Sequence, residues 1–446
     1  MIYSIWAAPA IALFYFVCSL FLPIKHRKNL LVFFNFFLLL IINGIALSLF
    51  LVAIFVLNFL PNVFSTLNKR AVTFGLIFLN GSFLLFFKLL PIAMKNPILA
   101  PLGLSLFIFQ QIAFIVDRER NADLSEISLK DFFLYSFLFT HFFTGPVAKI
   151  SQLLKEQPAH LLLKKVAISQ GIFLIFCGLF QKLIIADNIA VLTSPMFNQE
   201  LKINDFDITL SFLLNKYEIF ANFNGFSDIA LGSALILGIE LPANFNRPFH
   251  TSSLAEFWKR WHMSLVSWIR EYVFFPFILS PLGKLGVSCA LLLTFTIFGL
   301  WHEIKWTFFF YAIIQVFIIL VEKKGRRLSV HPFLRWIFFY VVLISIPGIL
   351  FRSKNVSQFI SILTSLKQSS LPGILKIAIT YKGVLIPAFI GIILYESVFS
   401  RKSVSIIQFF HNRHFISRII LFSAMALLLL LMKSSSTGNG FIYATF

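Results

Sequence analysis

Leu285-Gly-Val-Ser-Cys-Ala-Leu-Leu-Leu-Thr-Phe-Thr-Ile-Phe-Gly-Leu-Trp-His302-Glu-Ile-Lys-Trp306 is an apolar run that ends on a histidine and restarts four residues later, continuing to Val321. Lys284 precedes the first run and Glu322-Lys-Lys follows the second. Basic residues flanking apolar segments mark the cytoplasmic side of a membrane, so both outer ends belong there. The two runs then form a helical hairpin with His302 near its far tip. As a helix, Leu285–Leu300 rises about 24 Å, against a hydrocarbon core of about 30 Å. His302 is therefore expected within the thickness of the bilayer, nearer the outer face.

The rest of the chain repeats this pattern. It has 446 residues, 59% hydrophobic and only 13% charged, and apolar runs of membrane-spanning length recur from end to end. The runs are continuous rather than alternating, which selects helices over a barrel. The expected fold is an all-α polytopic membrane protein, a single membrane domain over residues 1–446 surrounded by the lipid bilayer. The net charge of +20 sits mostly in short connections such as Lys25-His-Arg-Lys28, Lys69-Arg70 and Glu322-Lys-Lys-Gly-Arg-Arg327. These read as cytoplasmic loops, with added attraction for anionic lipid or a phosphate-bearing donor as the sharper alternative. No basic stripe lies on a soluble domain, so no nucleic-acid partner is expected. Cys18, Cys177 and Cys289 lack metal or redox spacing and read as buried small hydrophobes.

Placing the basic loops inside sets the topology. Residues 2–24 form a retained first helix; Asn29–Leu60 breaks near Asn43-Gly44; residues 71–93 cross outward. Residues 131–148 are re-entrant or broken, and 166–186 and 205–238 are long spans. The last of these carries Asn215, Glu218, Asn222, Asn224, Ser227 and Asp228 as a polar stripe on one helix face, which either joins helices or lines a water-accessible cavity. Residues 333–351, 383–400 and 416–432 complete the spans, and 354–382 is a loop or surface helix.

A second polar cluster is Asn244-Phe-Asn-Arg-Pro-Phe-His-Thr-Ser-Ser-Leu-Ala-Glu-Phe-Trp-Lys-Arg-Trp-His262. It is too charged to span and reads as one re-entrant or interfacial helix starting after Pro248. Ser252 or Ser253 is its N-cap and Glu256 lies in its first turn. On one continuous helix Trp258, His262 and Leu265 share a face, with Lys259 and Arg260 rotated away.

Polar groups at membrane depth are costly and tend to mark function. A neutral imidazole at His302 is suited to taking a proton from a hydroxyl beside an activated carbonyl. The alternative is a structural histidine paired with a neighbouring helix. His262, Trp301 or Asn244 are candidates to support the developing oxyanion. His141 is a lesser candidate. Neither a phosphate-binding glycine loop nor a zinc-protease motif is present, so no metal and no bound cofactor is expected.

Several strings together resemble the membrane-bound O-acyltransferase family, in its bacterial alginate-acetylating branch. They are Pro101-Leu-Gly-Leu-Ser-Leu-Phe-Ile-Phe-Gln-Gln111, Gly145-Pro146, Gly178-Leu-Phe-Gln-Lys-Leu-Ile-Ile-Ala-Asp-Asn188, Phe226-Ser-Asp-Ile-Ala-Leu-Gly232, Asn244-Phe-Asn-Arg-Pro, Phe257-Trp-Lys-Arg-Trp-His262, Gly299-Leu-Trp-His302 and Phe441-Ile-Tyr. The resemblance implies a core of about 11 transmembrane or re-entrant helices around a tunnel, in the cytoplasmic (inner) membrane. It implies His302 as the catalytic histidine and His262 as a second functional position, with Trp301, Trp258, Trp261, Asn244, Asp228 and Arg260 binding substrate or lining the tunnel. The implied donor is an acyl thioester, acetyl-CoA above all. The implied acceptor is a hydroxyl of an envelope polysaccharide, reached through a separate periplasmic or extracellular acyltransferase. D-Alanyl transfer to teichoic acid is the neighbouring alternative, and transport along the polar stripe the alternative from another class. Glu303 stands where the branch usually has glycine.

Overall fold

The computed structural model describes residues 7–60, 68–94, 103–121, 126–140, 145–154, 165–198, 208–325 and 331–399, with a few single positions besides. Among them every regular element is helical. Seven helices are long and apolar enough to cross a bilayer, and a pair bent by 89°, Leu371–Thr380 with Lys382–Glu396, would make an eighth. Most of the expected span 416–432, together with His141 and the Phe441-Ile-Tyr string, lies outside the described residues. The chain is a multi-pass helical membrane protein. Its surface fits that solvent: Phe74 is 71% and Phe78 77% exposed, an arrangement costly in water and natural against acyl chains.

The described helices divide into two compact units. The first comprises Met1–Ile175 and Ser227–Ala243. It holds α1 (Ala7–Leu20), α2 (Ile24–Phe59), α3 (Lys69–Met94), α4 (Leu104–Arg120) and α5 (Leu129–Phe137). Helix α2 departs from helical geometry at Gly44 (φ 72°), the break expected at Asn43-Gly44. Helix α5 is capped by Ser128, ends before Leu138 in extended backbone, and residues 145–149 are non-helical. The 131–148 segment is thus broken, as the charge pattern required.

Buried amides join these helices. Asn58 of α2 and Asn80 of α3 exchange hydrogen bonds at 3.0 and 3.2 Å. Asn58 also donates to Gln111 of α4, which donates to Ser136 of α5 at 2.8 Å. Lipid-facing helices gain nothing from hydrophobicity against one another, so such polar contacts and close packing hold them. The closest packing lies between α6 (Lys165–Phe180) and α8 (Thr209–Ile236), where the backbones meet at Gly171 and Gly232. A methyl group at Gly232 would collide with the Gly171 carbonyl and stand 2.9 Å from the Ile175 nitrogen. Gly232→Ala should therefore destabilise the protein by about 1–3 kcal/mol. The check is a lower unfolding midpoint in detergent than for Ala234→Ser, a buried small-residue change on the same helix.

The second unit, Phe176–Phe226 and Asn244–Phe446, carries His262 and His302. After α6 a π-helical turn, Gln181–Ala186, leads into α7 (Asp187–Asn198). This irregular turn brings Lys182 within 2.5 Å of Asp187, both buried, and sets the lysine 5.8 Å over the Phe226 ring. The two short helices α9 (Leu254–Trp258) and α10 (Met263–Ile269) follow α8. Then come the hairpin α11 (Gly286–His302) and α12 (Trp306–Gly325), α13 (Pro332–Phe338), α14 (Ile346–Arg352), α15 (Val356–Ser365), α16 (Leu371–Thr380) and α17 (Lys382–Phe399). The stretch 354–382, expected as a loop or surface helix, is helical over Val356–Ser365 and Leu371–Thr380. Cys177 is buried but Cys289 is exposed on α11, so the reading of three buried cysteines fails there.

Candidate functional site

The hairpin forms as the apolar pattern dictates, and α11 ends on His302 itself. Glu303 leaves the helix in extended backbone (φ −161°), and its carboxylate pairs with Lys305 at 2.5 Å across the turn. The acidic residue after the histidine is therefore paired with a neighbouring lysine. Gly299 lets α11 meet α12 at Phe308. Close packing of that kind holds the tip of the hairpin, and the histidine with it.

His302 is 2% exposed and enclosed by rings. Phe298 lies 4.8 Å away, Trp301 4.2 Å, Phe351 of α14 4.8 Å, and Phe308 stacks at 5.8 Å with 9° between planes. These walls shield the imidazole from bulk water, which strengthens any electrostatic interaction made there.

His262 is reached through Trp301. That indole packs edge-on against His262 at 5.8 Å as well as against His302, and Phe223 of α8 closes the other side at 4.7 Å. The structure thus brings together the two histidines that the sequence placed forty residues apart.

The expectation of one continuous helix around His262 is overturned. Helix α9 does begin after Ser253, with Glu256 in its first turn, but it stops at Trp258. His262 takes left-handed backbone (φ 45°, ψ 50°) and α10 starts after it, so Trp258, His262 and Leu265 do not share a helix face. The cause is the preceding segment: Asn246 N–H donates to the Arg260 carbonyl at 2.9 Å, and Met263 N–H donates to the Asn244 carbonyl at 2.8 Å. The Ser264 hydroxyl also donates to Asn244 Oδ1 at 2.5 Å. Asparagine, aspartate and histidine enter the left-handed region more readily than most residues, and such backbone concentrates at functional sites.

His262 lies outside the membrane-length helices, and burial pushes its imidazole down to about 3. It stays neutral at physiological pH, and its buried Nδ1 makes no hydrogen bond among the described residues. A buried polar atom left open is the place where a ligand or water belongs. The depressed value also predicts a stability profile. Between about 3 and its ordinary 6.5 the unfolded chain binds more protons than the folded one, so stability is complete above 6.5 and falls as the pH drops below it. His262→Asn, which tolerates the same backbone, should lose less of its unfolding midpoint than the parent between about pH 7 and about pH 5. Equal losses would remove the buried neutral imidazole from the account.

The other expected site residues take distinct places. Trp258 donates to Gln315 Oε1 of α12 at 3.0 Å and packs on Phe295 and Phe298. Trp261 sits among Phe220, Phe245 and Phe257. Asn244 is the strap described above, so its Oδ1 accepts from Ser264 and holds the bend. Arg260 points outward, donating to the His250 carbonyl at 3.1 Å. Asp228 is buried and belongs to the first unit.

The polar stripe of α8 is buried, and three of its members join helices. Glu218 pairs with Arg352 of α14 and accepts from Thr193 of α7 at 2.5 Å; Asn215 accepts from Arg352 at 3.1 Å; Asn224 donates to Gln181 at 2.7 Å. Sequence reasoning missed Lys216, Phe351 and Arg352. The single lysine of α8 was the available signal for the first; nothing local marked the other two.

A family model described as MBOAT, membrane-bound O-acyltransferase family, matches residues 103–351, which include both histidines and the hairpin. The chain belongs to this family. It is 30% identical over 269 residues to a probable alginate O-acetylase of Azotobacter vinelandii, covering 58% of this chain and 52% of that protein. It is 28% identical over 301 residues to a peptidoglycan O-acetyltransferase of Helicobacter pylori, covering 60% and 56%. Against a teichoic acid D-alanyltransferase of Bacillus subtilis the identity is 26% over 267 residues, covering 56% and 67%. The chain spans about half the length of the first two relatives.

Proposed function

We propose that this protein is an O-acyltransferase of the cytoplasmic membrane that carries an acyl group, acetyl above all, from a cytoplasmic thioester donor such as acetyl-CoA toward a hydroxyl of an envelope or exported polysaccharide. The observation that carries this reading is His302, buried at the end of a membrane hairpin inside an aromatic wall that it shares with a second, neutral histidine. Family membership and the acetyl-transferring relatives support it.

In the proposed step His302 takes the proton of the acceptor hydroxyl. The oxygen bonds to the thioester carbonyl carbon, the carbon–sulfur bond breaks, and the proton passes to the departing thiolate. The thioester is already activated, and holding donor and acceptor in one dry site makes the transfer effectively unimolecular. The negative end of α11 complements the imidazolium that forms. His262, neutral and with an open Nδ1, positions the acceptor or the carbonyl. The tunnel, the separate outer acyltransferase and the identity of the glycan belong to the same proposal.

The test is purified protein with radiolabelled acetyl-CoA, with and without envelope extract. Loss of the thioester and label in envelope glycan are the expected results. Solute flux across proteoliposomes with no thioester consumed would replace the reading with transport.

A further inference from the structure

The α8 helix buries one lysine, Lys216, 6% exposed. Its Nζ stands 5.4 Å over the Trp261 ring and 5.4 Å over the Phe351 ring. Trp261 directly precedes His262, and Phe351 packs edge-on against His302 at 4.8 Å. The ammonium is thus one ring removed from the proposed base. Gly348 of α14 makes room for the lysine stem, since a Cβ there would collide with the lysine's Cε.

Other buried or nearly buried cations in this unit have carboxylates: Lys182 pairs with Asp187, and Arg352 with Glu218. Among the described residues Lys216 meets two aromatic faces and no carboxylate. The nearest acid along the helix, Glu218, is already engaged by Arg352 and Thr193. Cation–π contacts return only part of the hydration a buried ammonium loses, and a Met or Leu of similar volume would pack there without that cost. Held between the two ring faces, the ammonium places a positive charge one ring away from each histidine.

Resting on the acyl-transfer reading, we infer that Lys216 is a specificity-determining residue that favours a neutral acyl group and rejects a cationic one. Acetyl carries no charge, whereas a D-alanyl thioester brings its own ammonium. Two like charges about 10 Å apart at an effective dielectric near 20 shift binding on the order of tenfold. Lys216 forms no bond in the transfer: the acyl carbon still exchanges sulfur for oxygen and the proton still travels from hydroxyl to thiolate. It sets which acyl groups reach that step.

The experiment uses the full chain in proteoliposomes and compares kcat/KM for acetyl-, propionyl- and D-alanyl-coenzyme A, with propionyl controlling for size. The parent should favour propionyl over D-alanyl by about tenfold or more. Lys216→Met should collapse that ratio, and Lys216→Arg, which keeps the charge, should preserve it. An unchanged propionyl to D-alanyl ratio in Lys216→Met would overturn the inference while leaving acyl transfer intact. Failure of the parent to cleave any thioester would instead sink the functional reading and the inference with it. If Lys216→Met does not fold, the parent alone decides. S-Propyl-coenzyme A should bind about tenfold tighter than S-(2-aminopropyl)-coenzyme A, and equal affinities overturn the proposal.

Discussion

Replacing His302 by alanine should leave the protein inserted and folded but reduce acyl transfer by about 10²–10⁴-fold, the usual contribution of a general base. Truncation removes the imidazole from a box whose other walls are intact, since Phe298, Trp301, Phe308 and Phe351 also contact partners beyond His302. The rate measured is transfer of label from acetyl-CoA to envelope glycan, normalised to protein in the membrane. Because the base acts only in the transition state, kcat should fall with little change in KM. Normal acylation by a well-expressed His302→Ala variant would discard the assignment. A fall in KM-dependent binding alone would make His302 a binding residue.

Arg352→Leu should be the most destabilising single change at the site, by about 3–5 kcal/mol, because it strands a buried carboxylate. Glu218 is completely buried, and Arg352 also bonds Asn215 and lies 4.5 Å over the Phe197 ring. Losing the arginine would also loosen α14, whose Phe351 forms a wall of the His302 box. The expected readouts are poor recovery in detergent and a sharply lower unfolding midpoint. A compensating Glu218→Leu change should restore most of that stability, since an apolar pair of similar volume replaces a buried ion pair with little loss. If Arg352→Leu alone is as stable as the parent, the pair is not holding α14 to α8.

Much of this was legible along the chain because it is local. The first arm of the hairpin ends on His302 where the apolar run meets Glu303, α2 breaks at Gly44, and Ser253 precedes the short helix that opens at Leu254. Each outcome depends on residues within a few positions. The left-handed bend at His262 was not legible, because Asn244 and Asn246 impose it through backbone bonds from sixteen or so residues away. An isolated Trp-Lys-Arg-Trp-His string looks helical throughout. Lys216 was hidden for a related reason. Its two aromatic partners come from loop 259–262 and from α14, and nothing next to it in the sequence points to either. The polar stripe itself was visible, but only the folded structure shows which of its members join helices.

The returning helix α12 touches α9, the helix that leads into the His262 bend, at both of its ends. Gln315 accepts from Trp258, and about 10 Å further along the same rod Glu322 accepts the Leu254 N–H at 2.8 Å and the Ser253 hydroxyl at 3.1 Å. Its other end is the hairpin tip that positions His302. The gap between the two imidazoles is therefore gauged by one rigid strut, and tilting it displaces both rings together. A single-residue insertion between Trp306 and Gln315 would rotate one anchorage by about 100° relative to the other and uncouple the pair, even with every side chain of the site retained.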